Sequence, residues 1–422
     1  MTESKRVFMY VWGALPASTG SGYALRILAN ALAYHSLGYH VTLIAGGVGH
    51  RSMDELPPDV ELVIPPPARS IGSLWGRLNR RVSRVVPASV ALAFPEERAI
   101  HVAAMQMSAE HPEAIHQFEG ENLAAVMPFL QAPLTVYSAH DLLTAATLLS
   151  ISLKSGPDRS RWSPGYHRDI RFAEKLEARI ISASKAVLCI SSSECDTLRD
   201  TGCRAARYLP LGITDPGTLS RSGFLQDGTI RLLHLGRPAH SPSYRALRTL
   251  LAEVFPRLPP EVLNRIHLDI VGHLDDDSPL VADIQQLAAP FAERVRFCGF
   301  VPDLRPHFAT SDLLVVLNDE GTGTRTRIVE AAANGLPVLT STNNIAAFGV
   351  QAKDVVLLAD DPVRAGQLLM DMLNDPGQLA SLARASRAWY EQQHSHPAVS
   401  RLLHEVLVET GIRTPEAKPP RA

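Results

Sequence analysis

Residues 318–341 read NDEGTGTRTRIVEAAANGLPVLTS, and the stretch holds a strand end, a loop, a helix and the start of another strand. The apolar run DLLVVLN reaches Asn318, Gly321 and Gly323 mark a loop, a helix is expected from near Thr324 to Gly335, and Pro337 opens the next strand. Glycines ahead of a helix start let backbone N–H groups approach an anion, and the helix dipole favours a phosphate there. Arg325 and Arg327 add fixed positive charge. Without an anion, such charge in a first turn works against the dipole and costs a few tenths of a kcal/mol. Glu330 is followed by two alanines on a helix whose other positions look buried, so it is not the usual solvated glutamate.

The same alternation of strand and helix extends in both directions. Arg6 to Trp12 reads as a strand, a loop with Pro16, Gly20 and Gly22 follows, a helical pattern runs from Tyr23 to about Leu37, and HVTLIAG at 40–46 is the next strand. Further strands are expected at 60–64, 114–118, 134–138, 186–190 and 206–210, with a long helix over 166–184. TDPGTLSRSGFLQDGT then breaks the pattern as a linker, and a second series begins with IRLLHLG at 230–236. Two successive β/α series predict an α/β protein of two Rossmann-like, doubly wound domains facing each other across a cleft, with ligands near the carboxyl ends of the strands.

Composition agrees with this and narrows the function. The 422 residues are 45% hydrophobic and 20% charged, enough apolar mass for full cores and too much for a disordered chain. A net charge of −2 excludes a globally basic surface for nucleic acid. Of 41 basic residues 35 are Arg, the better fork for phosphate oxygens. Cys189, Cys195, Cys203 and Cys298 lack the spacing of a zinc site and read as buried thiols in a reducing compartment. The first strand lacks the features of a signal peptide and no run is long enough to span a membrane, so a cytoplasmic location is expected. The segment 73–94, with Arg77, Arg80, Arg81 and Arg84 beside Trp75, is a candidate for peripheral membrane contact, weighed against a helix with one charged face. Asp275, Asp276 and Asp277 contain a nominal Asp-x-Asp metal motif but read as a solvated loop, and no metal is expected.

GTGTRTRIVEAAANGLPVLTST resembles the C-terminal signature of group 1 glycosyltransferases of the retaining GT-B kind, family 4. GSGYALRILANALAYHSLGYHVTLI, VYSAHDL, EARIISASKAVLCISSSECDTL, RYLPLGI, LLHLGR and VRFCGFVPDLRPHFATSDLLVVLN resemble further segments of that family in the same order. The resemblance implies an N-terminal acceptor-binding domain at 1–212, a linker at 213–228 and a donor-binding domain at 229–394. It also implies a helix at 395–410 packing back towards the first domain, and the Pro-rich charged end at 411–422 reads as a mobile tail. Glu330 would accept hydrogen bonds from the donor ribose and Arg237 would clamp the diphosphate. The backbone from Gly323 through Thr324 to Arg325 would hold the phosphates from the other side, Arg327 would add charge there, and Thr322 stands on the donor side where the transferred sugar would lie. Phe300 and Val301 would receive the base of a UDP-, GDP- or dTDP-sugar. Ser21 and Gly22 would let the first loop approach the diphosphate, and His140 would bind near the transferred sugar.

The chain departs from the family where Thr322 replaces the usual sugar-contacting Glu and where no Lys follows Gly236–Arg237 before Arg245. Inverting transfer needs a general base near the acceptor hydroxyl. The loop GALPASTGSGY contains none, leaving Glu119 and Asp141 as acceptor-side candidates. The expected activity is therefore retaining transfer of a sugar from a nucleotide diphosphate donor to a hydroxyl acceptor. A nucleotide-sugar 2-epimerase and a catalytically idle GT-B partner subunit are the alternatives.

Overall fold

In the computed structural model the described residues are 5–17, 21–47, 53–66, 97–148, 164–217, 219, 223–275, 277–318 and 324–414. The segment 73–94, Thr322, Gly323, Asp276 and the tail beyond 414 lie outside them. The chain divides into two compact units, one of residues 1–212 with 396–422 and the other of residues 213–395.

The first unit opens with β1 (Arg6–Trp12), α1 (Gly22–Ser36), β2 (His40–Gly46) and β3 (Glu61–Val63). It continues through α2 (Arg98–Glu110), β4 (Ile115–Glu119), β5 (Thr135–Ala139), α3 (Pro164–Ala183), β6 (Ala186–Cys189), α4 (Ser192–Asp200) and β7 (Ala206–Tyr208). All neighbouring strands are parallel, in the order β3-β2-β1-β4-β5-β6-β7. Strands buried on both faces are continuous apolar runs, as β1 shows: Val7, Met9 and Val11 enter one core and Phe8 and Tyr10 the other.

The second unit repeats the scheme with β8 (Ile230–Leu235), α5 (Ser241–Arg248), β9 (Ile266–Val271), α6 (Pro279–Ala288), β10 (Val295–Gly299) and α7 (Arg305–Thr310). There follow β11 (Leu313–Val316), α8 (Thr326–Ala333), β12 (Val338–Thr340), α9 (Thr342–Ala346), β13 (Leu357–Leu358), α10 (Pro362–Asn374) and α11 (Pro376–Gln393). Its parallel order is β10-β9-β8-β11-β12-β13. In both sheets the chain reverses its direction of travel beside the first strand, between β1 and β4 and between β8 and β11. In open α/β sheets this switch point is where ligands enter.

SYRALRTLLAEVFPRL has the pattern of a single helix, but the structure breaks it. After α5 the backbone widens into a π turn at Thr249–Val254 and tightens into a 3₁₀ turn at Phe255–Arg257. Pro256 has no N–H to continue the ladder, which is why the helix ends there.

The last helix, α12 (His396–Glu409), belongs to the first unit and packs along α1. Val399, Leu403, Val406 and Leu407 enter the same core as Ile27, Leu28 and Ala31. Gly212 lies against this pair, and a Cβ there would stand 2.8 Å from Ala29 Cβ and 3.3 Å from Val399 Cγ2. Among the described residues no helix is long and apolar enough to cross a membrane. Cys189 and Cys195 are buried, as expected, whereas Cys203, in the turn before β7, and Cys298, on the edge strand β10, are half-exposed because neighbouring elements cover them on fewer sides.

Candidate active site

In the second unit, the carboxyl end of β8 is built by close backbone approach. Gly236 adopts φ +139°, and a Cβ there would lie 2.3 Å from Ser243 Oγ and 3.1 Å from Arg327 Nη1. A Cβ on Gly272, after β9, would lie 2.3 Å from Gly236 O. These glycines keep side chains out of the strand ends and leave the backbone open to a ligand.

Arg327, on the first turn of α8, donates from Nη1 to Leu235 O at 2.5 Å. It thereby ties the helix start to the end of β8 across the switch point. Burial and the neighbouring charge of Arg325 lower its pKa to about 10, with Glu330 acting in the opposite direction. Arg325 occupies the N-cap of α8 and makes no side-chain cap hydrogen bond. Its Nε instead donates to Asn344 Oδ1 at 3.0 Å. Asn344 is itself fixed, its Nδ2 reaching Asn318 O at 2.8 Å and Val316 O at 3.1 Å at the end of β11. Two guanidinium groups thus converge on a helix start whose N-cap residue supplies no side-chain oxygen, which favours an anion. Glu330 lies one turn further along and is half-buried; burial raises its carboxyl pKa and Arg327 counters part of the rise.

Arg237 already has a partner. Its Nη2 donates to Asp275 Oδ1 at 2.8 Å and Oδ2 at 3.0 Å. The expectation of a merely solvated loop at 275–277 is corrected for Asp275, whose side chain is 28% exposed because the loop after β9 lies beside the loop after β8. Phe300 follows the left-handed Gly299 (φ +67°) and is 74% exposed, with Val301 half-buried beside it. Thr324 is half-buried.

In the first unit, Ser21 is the N-cap of α1 and its Oγ accepts from Ala24 N at 3.3 Å, so its hydroxyl already serves the helix; Gly22 is the first helical residue. His140 directly follows β5, and its Nε2 lies 2.9 Å from Glu119 Oε2. Glu119, the last residue of β4, has a side chain with no exposure, and Oε1 accepts from Asn30 Nδ2 at 2.9 Å and Gln117 Nε2 at 2.6 Å. Both oxygens of this fully buried carboxylate have partners. Burial alone would raise its pKa, but His140, Arg26 and Asn30 together hold it below the ordinary carboxylate value. The Tyr23 ring lies 4.7 Å from that of His140. Asp141 is half-buried beside it.

Among the described residues one group has donor atoms close enough for a metal, Asp269, Cys298 and His307, all within 4.8 Å of one another. Both Asp269 oxygens already accept from Arg296, at 2.9 and 2.5 Å, so a positive charge occupies the place a cation would need.

Asn344, Asp275, Tyr23, Asn30 and Gln117 were not apparent from sequence. Ser243, whose buried Oγ beside Gly236 has no hydrogen-bond partner among the described residues, was not apparent either. Each is an ordinary polar residue in a helix, strand or loop, and only the sheet order brings it to a strand end.

Two Rossmann-like units with parallel sheets, each with a switch point beside its first strand, match the fold of GT-B glycosyltransferase structures. Residues 229–375 match the family model described as glycosyl transferases group 1. HepE of Anabaena in complex with UDP superposes with a TM-score of 0.63 at 15% identity, covering 96% of this chain and 100% of that one. Sucrose-phosphate synthase of Thermosynechococcus elongatus gives 0.65 at 16%, covering 96% and 98%. WaaG, a glycosyltransferase involved in lipopolysaccharide biosynthesis, gives 0.56 at 16%, covering 96% and 100%. No curated protein matches the chain by sequence.

Proposed function

We propose that this chain transfers a sugar from a nucleotide diphosphate donor to a hydroxyl acceptor, with retention of configuration and without a metal, in the manner of family 4. The observation that carries the reading is the start of α8, where Arg325 and Arg327 stand at a helix N-terminus one turn from a half-buried carboxyl group, within the matched stretch. Arg325, Arg327 and the backbone from Gly323 hold the diphosphate, and Glu330 accepts from the ribose hydroxyls. Phe300 and Val301 flank the base. Arg237 exchanges the Asp275 carboxylate for a phosphate oxygen, a swap of one anion for another at an exposed guanidinium.

The developing charge on the leaving diphosphate is met by guanidinium groups and helix N–H donors, the kind of preorganised stabilisation that lowers such barriers most. The leaving phosphate oxygen takes the acceptor proton on the face from which the acceptor attacks, so no separate carboxylate base is required. His140 serves the transferred sugar. Uridine is the first base to test, because HepE has been determined with UDP and with UDP-glucose.

The test is a thermal-shift screen of nucleotide diphosphates and their sugars, followed by donor-dependent nucleotide release. A bound donor raises the melting temperature by mass action. Glu330→Ala and Arg237→Ala are each expected to lose at least tenfold in turnover. Unchanged turnover in both would sink the site assignment, and product formed without any acceptor would favour an epimerase.

A further inference from the structure

We propose that Glu119 is a positioning residue which fixes the proton of neutral His140 on Nε2 and leaves Nδ1 as the acceptor for a ligand hydroxyl. The proposal rests on the sugar-binding role assigned to His140 above. The direction of the hydrogen bonds follows from the donors around one carboxylate. Tyr34 OH donates to Gln117 Oε1 at 2.7 Å, which turns the Gln117 amide so that its Nε2 donates to Glu119 Oε1. Asn30 Nδ2 donates to the same oxygen. Oε2 is left for His140. A proton on Oε1 would face the Asn30 and Gln117 donors, and the buried Arg26 adds positive charge beside the carboxylate, so Glu119 is ionised and His140 donates to it from Nε2.

The imidazole is also held in plane. Tyr23 packs against it with ring centroids 4.7 Å apart, while the Tyr23 hydroxyl donates to Glu119 O and accepts from Trp12 N, both at 3.2 Å. Nδ1 has no hydrogen-bond partner among the described residues. A ring oriented by a buried carboxylate at one nitrogen presents a defined lone pair at the other.

Glu119→Gln makes a sharp test. The Asn30 and Gln117 donors claim the single amide oxygen, so the new NH₂ group points at His140 Nε2. That nitrogen must then accept, and the proton moves to Nδ1. Histidine-selective ¹⁵N NMR at about pH 8, above the range where an ordinary imidazole titrates, with the resonances assigned by their loss in His140→Gln, reads the tautomer directly. The wild-type ring is expected to carry its proton on Nε2 and the Glu119→Gln ring on Nδ1. Sugar transfer should fall at least tenfold in that variant while UDP binding stays within twofold.

A wild-type ring protonated on Nδ1, a folded variant with an unchanged tautomer, or a switched tautomer with full transfer activity would each overturn the proposal. The wild-type spectrum alone decides the tautomer if the variant does not fold. Failure of the transferase reading would show separately, as no turnover of any donor by the wild type.

Discussion

Arg237 and Asp275 form a two-point ion pair at the surface, the guanidinium side chain being 59% exposed. Exposed pairs are worth about 0–1 kcal/mol, so this one would compete only weakly with the proposed diphosphate. Asp275→Asn is therefore expected to change the UDP dissociation constant by less than about fivefold, and Arg237→Ala to weaken it by about tenfold, by titration calorimetry. Glu330 gives a pH test. Its pKa is raised by burial above the ordinary 4.5, and in the proposed ribose-binding role the ionised form is the one that accepts from both hydroxyls. Affinity for UDP should fall as pH drops towards that raised value, and Glu330→Gln should lower affinity at neutral pH and flatten the profile. Arg325, Arg327 and Glu330 were legible in sequence because they share one short loop and helix. Asp275 and Asn344 were not, because they reach the site from other strands.

Each sheet carries a buried neutral histidine in a strand beside its switch point. His116 in β4 has its pKa lowered to about 4 by burial, despite a hydrogen bond to His111 O at 3.1 Å. His234 in β8 is lowered to about 3 by burial and by Arg327, with its backbone bond to Val315 opposing. Both values lie below the unfolded 6.5, so the stability these residues contribute is complete above pH 6.5 and is lost as pH falls towards the folded values. The slope is about 1.4 kcal/mol per pH unit for each histidine. Thermal unfolding should therefore move to lower temperature between pH 7 and pH 5, and His234→Phe should flatten that limb; an unchanged melting temperature in the wild type would contradict the burial of both rings. The apolar runs around these residues identified the strands, yet their ends shifted by one residue, since hydrogen bonding to neighbours decides where a strand stops. The break of α5 at its π turn was likewise invisible to periodicity.

At the scale of the molecule, the chain leaves the first unit at Gly212 and returns to it at His396. The returning helix is part of that unit's core: Leu403 has no exposed surface, Lys5 Nζ donates to Arg413 O and Thr414 O at 2.8 Å, and Ser36 Oγ donates to Ser400 Oγ at 2.7 Å. Leu403→Ala is expected to cost about 2–5 kcal/mol in chemical unfolding, and removal of 396–422 should expose the apolar face of α1 and lower solubility. The sequence alone determined the two β/α series, the polar break between them and the arginine-bearing helix start, because these depend on local periodicity and turn chemistry. Only the tertiary structure decided the order of the strands, the burial of Glu119 behind His140 and the pairing of Arg237 with Asp275. Those relations join residues far apart in the chain, and they arise when parallel strands are laid side by side and their carboxyl ends meet.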